Sequence, residues 1–207
     1  MFSIVQAAGW PMWPLLGCSV VALALIVERL IQLRQQQVLP PHLLEEVMTI
    51  STANMPSTDM IDKLAEHSDL GQLLAKALEI KKNNPDCTDQ ELKNQVEIMG
   101  RSIAHRLENY LPTLGTIASA SPLLGLLGTV VGMIEIFGAQ TTGANAPAQM
   151  AHGISVALYN TAFGLLIAIP TLAVWRHLKA KVDGYVLMLE LAGEQIVNHL
   201  VKTQSKN

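Results

Sequence analysis

Long stretches of this 207-residue chain contain no charged side chain. Asp, Glu, Lys and Arg are absent from Met1 to Val27, from Asn109 to Ile134 and from Ile136 to Trp175. Glu135 is therefore the single formal charge between Asn109 and Trp175. Each stretch holds roughly the 20 apolar residues that a helix needs to cross a hydrocarbon core. These gaps in charge predict a membrane protein.

The chain also lacks the residue patterns of several functional classes. Its two cysteines have no metal or redox spacing, and Cys18 and Cys87 are expected in different compartments, so they cannot pair. It contains no phosphate-binding Gly-rich loop, no nucleophile with a matching base and no cluster of metal ligands. The net charge of −3 includes no basic stripe, which argues against nucleic acid as a partner. We expect no enzymatic activity, no cofactor and no metal.

The charge-free stretches predict an all-α fold with three transmembrane helices, because only helices of this length satisfy their own backbone hydrogen bonds in lipid. We place these helices at residues 13–33, 111–137 and 154–175. The first of them has no preceding Lys or Arg, which favours an uncleaved span over a signal peptide.

The positive charges predict the orientation. Nine of the fourteen Lys and Arg residues lie within 29–106 and five within 176–206. By the positive-inside bias, the N-terminus at 1–12 and the loop at 138–153 are outside the cytosol. The helical loop at 34–110 and the C-terminal helix and tail at 176–207 are then cytosolic.

The cytosolic segments are predicted to extend the second and third spans. Thr88 followed by Glu91 has the spacing of a capping box, and apolar residues then recur every three or four positions, at Leu92, Val96, Met99, Ile103, Leu107 and Tyr110. This pattern predicts a helix that runs straight into the second span. A second apolar pattern, from Val182 to Leu200, carries the third-span helix into the cytosol, with Gly184 and Gly193 as weak points.

The second and third spans each carry a face of small and hydroxylated residues. At 100° per residue these fall on one side of each helix: Ser121, Gly125, Gly128, Thr129 and Gly132 on the second, and Ala157, Thr161, Gly164, Ala168 and Thr171 on the third. For any single residue, close helix packing is the favoured interpretation. As a set they also suit a pore-lining face, because each span places a threonine near mid-membrane.

No ionisable side chain lies in the middle of a predicted span, so a proton path would need a carboxylate from another chain. Glu135 is interpreted first as a carboxylate at headgroup level and second as the mouth of a pore. Asn160 is interpreted as an interhelix hydrogen-bonding residue rather than a ligand. Each of three prolines removes a backbone donor and should bend its span: Pro112, Pro122 and Pro170.

Two motifs resemble a known family. Residues 123–133, LLGLLGTVVGM, resemble the GLxGTVxGM signature of the MotA/TolQ/ExbB proton-channel family, and residues 153–170 resemble its third-span signature. The likeness extends over the whole chain and is closest to ExbB and TolQ, since MotA has four spans. It implies a homopentamer in the bacterial inner membrane, with an ExbD or TolR-like single-span partner inside its pore. By motif position, Thr129 and Thr161 would face the membrane aspartate of that partner.

The resemblance implies a function and leaves alternatives. It predicts a subunit that uses proton motive force to energise TonB-dependent outer-membrane transport, with motion passed to a TonB or TolA-like protein. A TolQ-like role in envelope maintenance is one alternative. A non-conducting scaffold of the same fold is another, because Val156 stands where many ExbB and TolQ members carry Glu. If the chain does conduct protons, Glu135 would compensate electrostatically for the missing glutamate from the neighbouring helix.

Overall fold

The computed structural model describes residues 9–53, 55–138 and 146–204. Within these ranges the chain forms eight helices and no strand, which confirms the all-α prediction. The helices are α1 (Met12–Gln32), α2 (Gln35–Val38), α3 (Leu43–Ala53), α4 (Thr58–His67), α5 (Asp69–Asn83), α6 (Asp89–Glu108), α7 (Leu111–Gly138) and α8 (Ala146–Gln204).

Three helical stretches among the described residues are long and apolar enough to cross a membrane. They are Met12–Gln32, a part of Asp89–Gly138 and a part of Gly153–Lys202. These stretches contain most of 13–33 and all of 111–137 and 154–175, the segments that the charge pattern predicts to span. The prediction of three transmembrane helices is therefore supported by helix length and composition.

The helix that begins after Thr88 does not run straight into the second span, so that prediction is wrong. Helix α6 ends at Glu108, and α7 begins at Leu111. Between them Tyr110 adopts a left-handed φ of 61°, which ends the regular helix. Pro112 gives the physical reason, because inside a continuous helix its ring would clash with the carbonyl of Glu108 four residues earlier. In the first turn of a new helix the same proline is tolerated.

Helix α8 continues without interruption for 59 residues, as the third-span pattern predicts. Neither Gly184 nor Gly193 ends it, and Pro170 lies inside it. Pro122 likewise lies inside α7. Since the helical assignment continues through both prolines, the predicted bends stay predictions.

The chain divides into two compact units. The first unit comprises Met1–Arg29 and Tyr110–His177, and the second comprises Leu30–Asn109 and Leu178–Asn207. In the first unit the start of α1 is buried at Met12 and Leu15, which pack against Leu16, Leu124, Phe163 and Ile167. At the other end of α1, Arg29 is buried, and its guanidinium lies 5.0 Å from the ring centre of Tyr110.

The second unit is a helical bundle with a leucine-rich interior and capped helices. Among its side chains that are at most 1% exposed are seven from α5, α6 and α8: Leu73, Leu74, Leu78, Leu92, Ile103, Leu178 and Ile196. The predicted capping box is present, because the Glu91 N–H donates to Thr88 Oγ1 at 3.3 Å and the Thr88 N–H donates to Glu91 Oε2 at 3.1 Å. Lys179 joins α8 to the end of α6 by donating to Glu108 at 2.8 Å.

Candidate functional site

Helices α7 and α8 of the first unit meet along a line of small residues, here called the seam. Its contacts run antiparallel, from Gly132 against Ala157, through Gly128 against Asn160 and Gly125 against Thr161, to Gly164 against Ser121 and Gly115 against Trp175. Small residues let helix backbones approach closely in lipid, where no hydrophobic force draws two helices together. The sequence predicts this face, and the structure shows what it touches within one chain.

At two glycines of the seam, an added side chain would have to displace the backbone of the opposite helix. A Cβ added to Gly164 would lie 2.6 Å from the carbonyl oxygen of Ser121 and 3.2 Å from the Cα of Gly125. A Cβ added to Gly125 would lie 2.7 Å from the carbonyl oxygen of Asn160 and 3.0 Å from the Cα of Thr161. Real Cβ atoms essentially never come within 3.0 Å of such neighbours. The absence of side chains here therefore sets the distance between α7 and α8.

The predicted small face divides by burial into two groups. Seven of its residues are buried by their own chain: Ser121, Gly125, Gly128, Ala157, Gly164, Ala168 and Thr171. Thr129, Gly132 and Thr161 are only half-buried and lie at the edge of the seam. A pore shared between chains would reach the edge residues without separating the two helices. The contacts of the buried group are those of close helix packing, and their pore-lining role stays a prediction.

The two predicted threonines both donate their hydroxyl hydrogen to a backbone carbonyl. Thr129 donates within its own helix, to Leu126 O at 2.7 Å, as threonine often does in helices. Thr161 instead donates across the seam, to Gly125 O at 3.2 Å. A hydroxyl group has one hydrogen and two acceptor lone pairs. Both threonines therefore have lone pairs left with which to accept a hydrogen bond from water, hydronium or a protonated carboxylic acid.

Thr129 also borders an open groove along α7. The groove is lined by Thr129 together with apolar side chains, Val130, Met133, Ile134 and Phe137. Glu135 falls in the same stretch of helix, but its side chain lies outside the described part of the structure, as does that of Val156. The predicted pore-mouth role of Glu135 therefore stays a prediction.

Asn160 is the seam residue whose importance the sequence understates. Its side chain is 1% exposed, and it lies against Gly128, where an added Cβ would be 2.6 Å from the Asn160 Cβ. The sequence interpretation of Asn160 as an interhelix residue agrees with this position. The sequence contains a stronger indication of this contact. An amide directly precedes Thr161 in an apolar span, and the neighbouring span is rich in glycine.

No group of three or more His, Cys, Asp or Glu side chains lies close enough to hold a metal ion, as far as the described residues extend. The seam offers hydroxyl and amide groups without a titratable side chain. Such a surface can orient water or a proton donor, but the titrating group would have to come from elsewhere.

Comparison with known proteins gives matches over the same segments. Residues 65–191, more than half of the chain, match the MotA/TolQ/ExbB proton channel family. The biopolymer transport protein exbB1 of Vibrio cholerae is 33% identical over 196 residues, which cover 89% of this chain and 82% of that protein. The ExbB-like 3 protein of Synechocystis sp. is 35% identical over 81% of this chain and 79% of that protein. The Tol-Pal system protein TolQ of Haemophilus influenzae is 38% identical over 51% of this chain.

The family match contains α7 and the whole seam, including Thr129 and Thr161. Together with three helices that can span a membrane, it identifies a multi-pass membrane protein of the ExbB/TolQ type. The chain belongs to the MotA/TolQ/ExbB proton channel family.

Proposed function

We propose that this chain is the proton-channel subunit of a motor in the bacterial inner membrane and energises TonB-dependent outer-membrane transport, as an ExbB protein would. The observation that carries the proposal is the hydroxyl of Thr161. It donates to Gly125 O at 3.2 Å and so presents only lone pairs at the edge of a seam without ionisable groups. Lone pairs in this setting accept a hydrogen bond from a proton carrier and have no hydrogen left to compete with it.

The titrating group in this proposal belongs to a partner. A single-span protein of the ExbD or TolR kind would place an aspartate beside Thr129 and Thr161. While the aspartate is protonated, its O–H donates to a threonine oxygen, and this hydrogen bond favours the neutral acid. Release of that proton toward the cytosol charges the carboxylate and weakens its hold on the threonines. A TonB or TolA-like protein would carry the resulting motion toward the outer membrane.

The proposed assembly is a homopentamer with a periplasmic N-terminus and a cytoplasmic C-terminus. Large apolar side chains outside the seam support contacts with lipid or with further copies of the chain. Leu123, Leu166 and Ile169 are each 66–67% exposed within one chain. Exposed apolar area of this kind on spanning helices is covered in a membrane by lipid tails or by neighbouring helices.

Two alternatives remain within the family. A TolQ-like role in envelope maintenance is favoured less, because the ExbB-type relative from Vibrio cholerae matches 89% of this chain and the TolQ relative from Haemophilus influenzae matches 51%. A non-conducting scaffold rests on Val156, which replaces a common family glutamate. The scaffold would keep the seam and the assembly but would carry no protons.

The first experiment is to purify the complex gently from native membranes through a tag on this chain and to measure its native mass. Five copies with a single-span protein that carries a membrane aspartate are expected, and the identity of that protein separates the ExbB-like from the TolQ-like role. A stable assembly that contains no such protein would contradict the motor proposal and favour the scaffold.

The second experiment measures proton uptake into vesicles that contain the complex, with Thr161→Val compared to wild type. Valine keeps the shape of threonine and removes the hydroxyl. Hydrogen bonds to charged groups contribute about 1.5–3 kcal/mol, so we expect proton flow to fall roughly tenfold or more. Thr116→Val is the matched control, because Thr116 is exposed on α7 and donates to Pro112 O away from the seam. Unchanged flow in Thr161→Val would show that Thr161 only packs.

A further inference from the structure

The seam contains one buried amide that the proposed proton pathway does not explain. Asn160 is 1% exposed in a stretch of α8 that is otherwise apolar or small. An amide moved from water into an apolar setting costs about 1–3 kcal/mol in proteins unless hydrogen bonds replace those to water. An alanine or leucine at this position would need no such hydrogen bonds. The need to satisfy a buried amide therefore restricts how α8 can lie on α7 more than an apolar side chain would.

The contact between Asn160 and Gly128 fixes where α8 lies on α7. A Cβ added to Gly128 would lie 2.6 Å from the Cβ of Asn160 and 2.8 Å from both its Cγ and its Nδ2. The Asn160 side chain therefore packs directly on the backbone of Gly128. A branched polar side chain in a single glycine-sized recess fits in one register, as single buried asparagines do in coiled coils.

A second contact lies one turn away and involves the next residue. The backbone of Asn160 and Thr161 meets α7 at Gly125, and the Thr161 hydroxyl donates to the carbonyl of that same glycine at 3.2 Å. Two contacts three residues apart on α7 fix both the rotation and the height of α8. Each residue step rotates a helix by about 100°, so a slip of one residue would turn the Thr161 hydroxyl away from Gly125.

We propose that Asn160 is a positioning residue of the proton pathway: its amide, seated on Gly128, sets the register of α8 and so holds the Thr161 hydroxyl on the Gly125 carbonyl. This inference rests on the proposed function of Thr161. In this proposal Asn160 acts through Thr161, by fixing the direction in which the lone pairs of the Thr161 hydroxyl point.

The test replaces Asn160 and reads out both proton flow and the surroundings of residue 161. Asn160→Leu keeps a branched side chain without the amide, and Asn160→Ala removes the side chain beyond Cβ. Ser155→Ala is the control, because Ser155 is an exposed polar residue of α8 outside the small face, and its hydroxyl donates within its own helix to Ala151 O. Proton uptake into vesicles is measured for each variant at equal native mass of the complex.

The second readout does not depend on proton flow. In a chain with Cys18→Ala and Cys87→Ala, Thr161→Cys is reacted with a small water-soluble maleimide, with and without the change at Asn160. We expect Asn160→Leu and Asn160→Ala to lower proton flow about tenfold, since small misplacements of a reacting group are costly. We also expect them to change the rate of thiol modification at 161 by about threefold or more. Ser155→Ala should change neither quantity.

Each other outcome overturns a defined part of the proposal. Unchanged flow in both Asn160 variants removes the positioning role. Reduced flow with an unchanged thiol rate at 161 also removes it, because Asn160 would then act by another route. If the wild-type complex conducts no protons but the thiol rate still shifts, the register role stands and the proposed function fails.

Gly128 provides the same test from α7 in case the Asn160 variants do not assemble. Gly128→Ala must displace Asn160 and should produce both changes. Gly128→Ala combined with Asn160→Gly adds a methyl group to α7, removes the whole Asn160 side chain from α8 and so relieves the clash. If this double variant assembles with wild-type flow and thiol rate, the amide is not needed and the proposal is wrong.

Discussion

In the first unit, α7 and α8 meet through glycines and backbone, whereas in the second unit the helices meet through leucines. Gly125 and Gly164 lie so close to the opposite helix that an added Cβ would fall within 2.7 Å of a carbonyl oxygen. In the second unit Leu73, Leu74 and Leu78 of α5 are at most 1% exposed. Both kinds of contact are tight, but different residue sizes produce them.

The difference follows from the solvent that each kind of contact replaces. Apolar side chains leave water with a gain of about 25 cal/mol per Å² of buried surface, so large leucines stabilise a bundle in water. In lipid this gain is absent between helices, and close backbone approach through small residues replaces it. We therefore expect the two units to differ in what destabilises them. Substitutions that add atoms should destabilise the first unit, and substitutions that remove atoms should destabilise the second.

The largest effect is expected for Gly164→Val. Its Cβ would lie 2.6 Å from the Ser121 carbonyl oxygen, and its two methyl groups would have to enter the same contact. Overpacking typically costs about 1–3 kcal/mol, and we expect more here because the obstructing atoms are backbone. The measured quantity is the fraction of purified chain that remains folded and monodisperse in detergent.

Gly17→Ala is the matched control for that variant. It adds a methyl group to α1 at a glycine whose surroundings are open within 4 Å. Wild-type behaviour is expected for Gly17→Ala and loss of the folded fraction for Gly164→Val. If both behave like wild type, α7 and α8 do not pack as closely as the seam requires.

Leu74→Ala tests the other side of the comparison. Leu74 is fully buried in α5, and a Leu→Ala change in a well-packed core costs about 2–5 kcal/mol from lost burial and the cavity left behind. A drop in the thermal midpoint of the second unit, followed by helical circular dichroism, is the expected result. Met60→Ala, at a side chain 49% exposed on α4, should change the midpoint little. Equal effects of the two substitutions would contradict a leucine core.

The positions of the single helices could largely be predicted from the sequence, because charge and apolar periodicity are properties of one helix at a time. Absent charges indicate three apolar helices, and Thr88 with Glu91 indicates the start of α6. The apolar periodicity does not reveal the helix break at Asn109 and Tyr110, because Leu107 and Tyr110 continue the pattern. Pro112 was the better indicator there, since a proline is excluded by the carbonyl four residues before it.

The site was only partly predictable because its contacts join two helices whose register no single helix encodes. A face of small residues can pack against a neighbouring helix or line a pore. Residues such as Gly128 and Ala157 do not by themselves distinguish these two roles. The pairing of Asn160 with Gly128 spans 32 positions of the sequence and appears only when α7 and α8 are placed together. Likewise, nothing in the sequence indicates that Thr161 donates across the seam while Thr129 donates within its own helix.

A smaller effect, about 1 kcal/mol, is expected for Thr88→Ala in the second unit. The substitution removes the acceptor of the Glu91 N–H and the Thr88 part of the capping box. Faster hydrogen exchange at the first amides of α6, with a slightly lower thermal midpoint, would show this. Thr49→Ala is the control, because that hydroxyl only donates back to Glu45 O within α3. An unchanged exchange rate at Glu91 in Thr88→Ala would mean that water caps the helix equally well.

The smallest effect is expected for Lys179→Met, which removes a charge but keeps most of the side-chain stem. Lys179 lies 2.8 Å from a Glu108 oxygen and 3.1 Å from an Asp183 oxygen. All three side chains are between 41% and 58% exposed, so the pair is largely hydrated. Such pairs contribute about 1 kcal/mol or less, and their charge term is screened at 1 M salt, where the Debye length is about 3 Å.

We therefore expect a small loss of thermal stability in Lys179→Met at low salt that disappears near that ionic strength. A loss that persists at high salt would show that Lys179 joins α8 to the end of α6 through packing rather than charge. The second unit would then depend on packing even at its hydrated edge. The contrast with the seam would become sharper, because the seam alone would rely on polar groups, those of Asn160 and Thr161, to set its register.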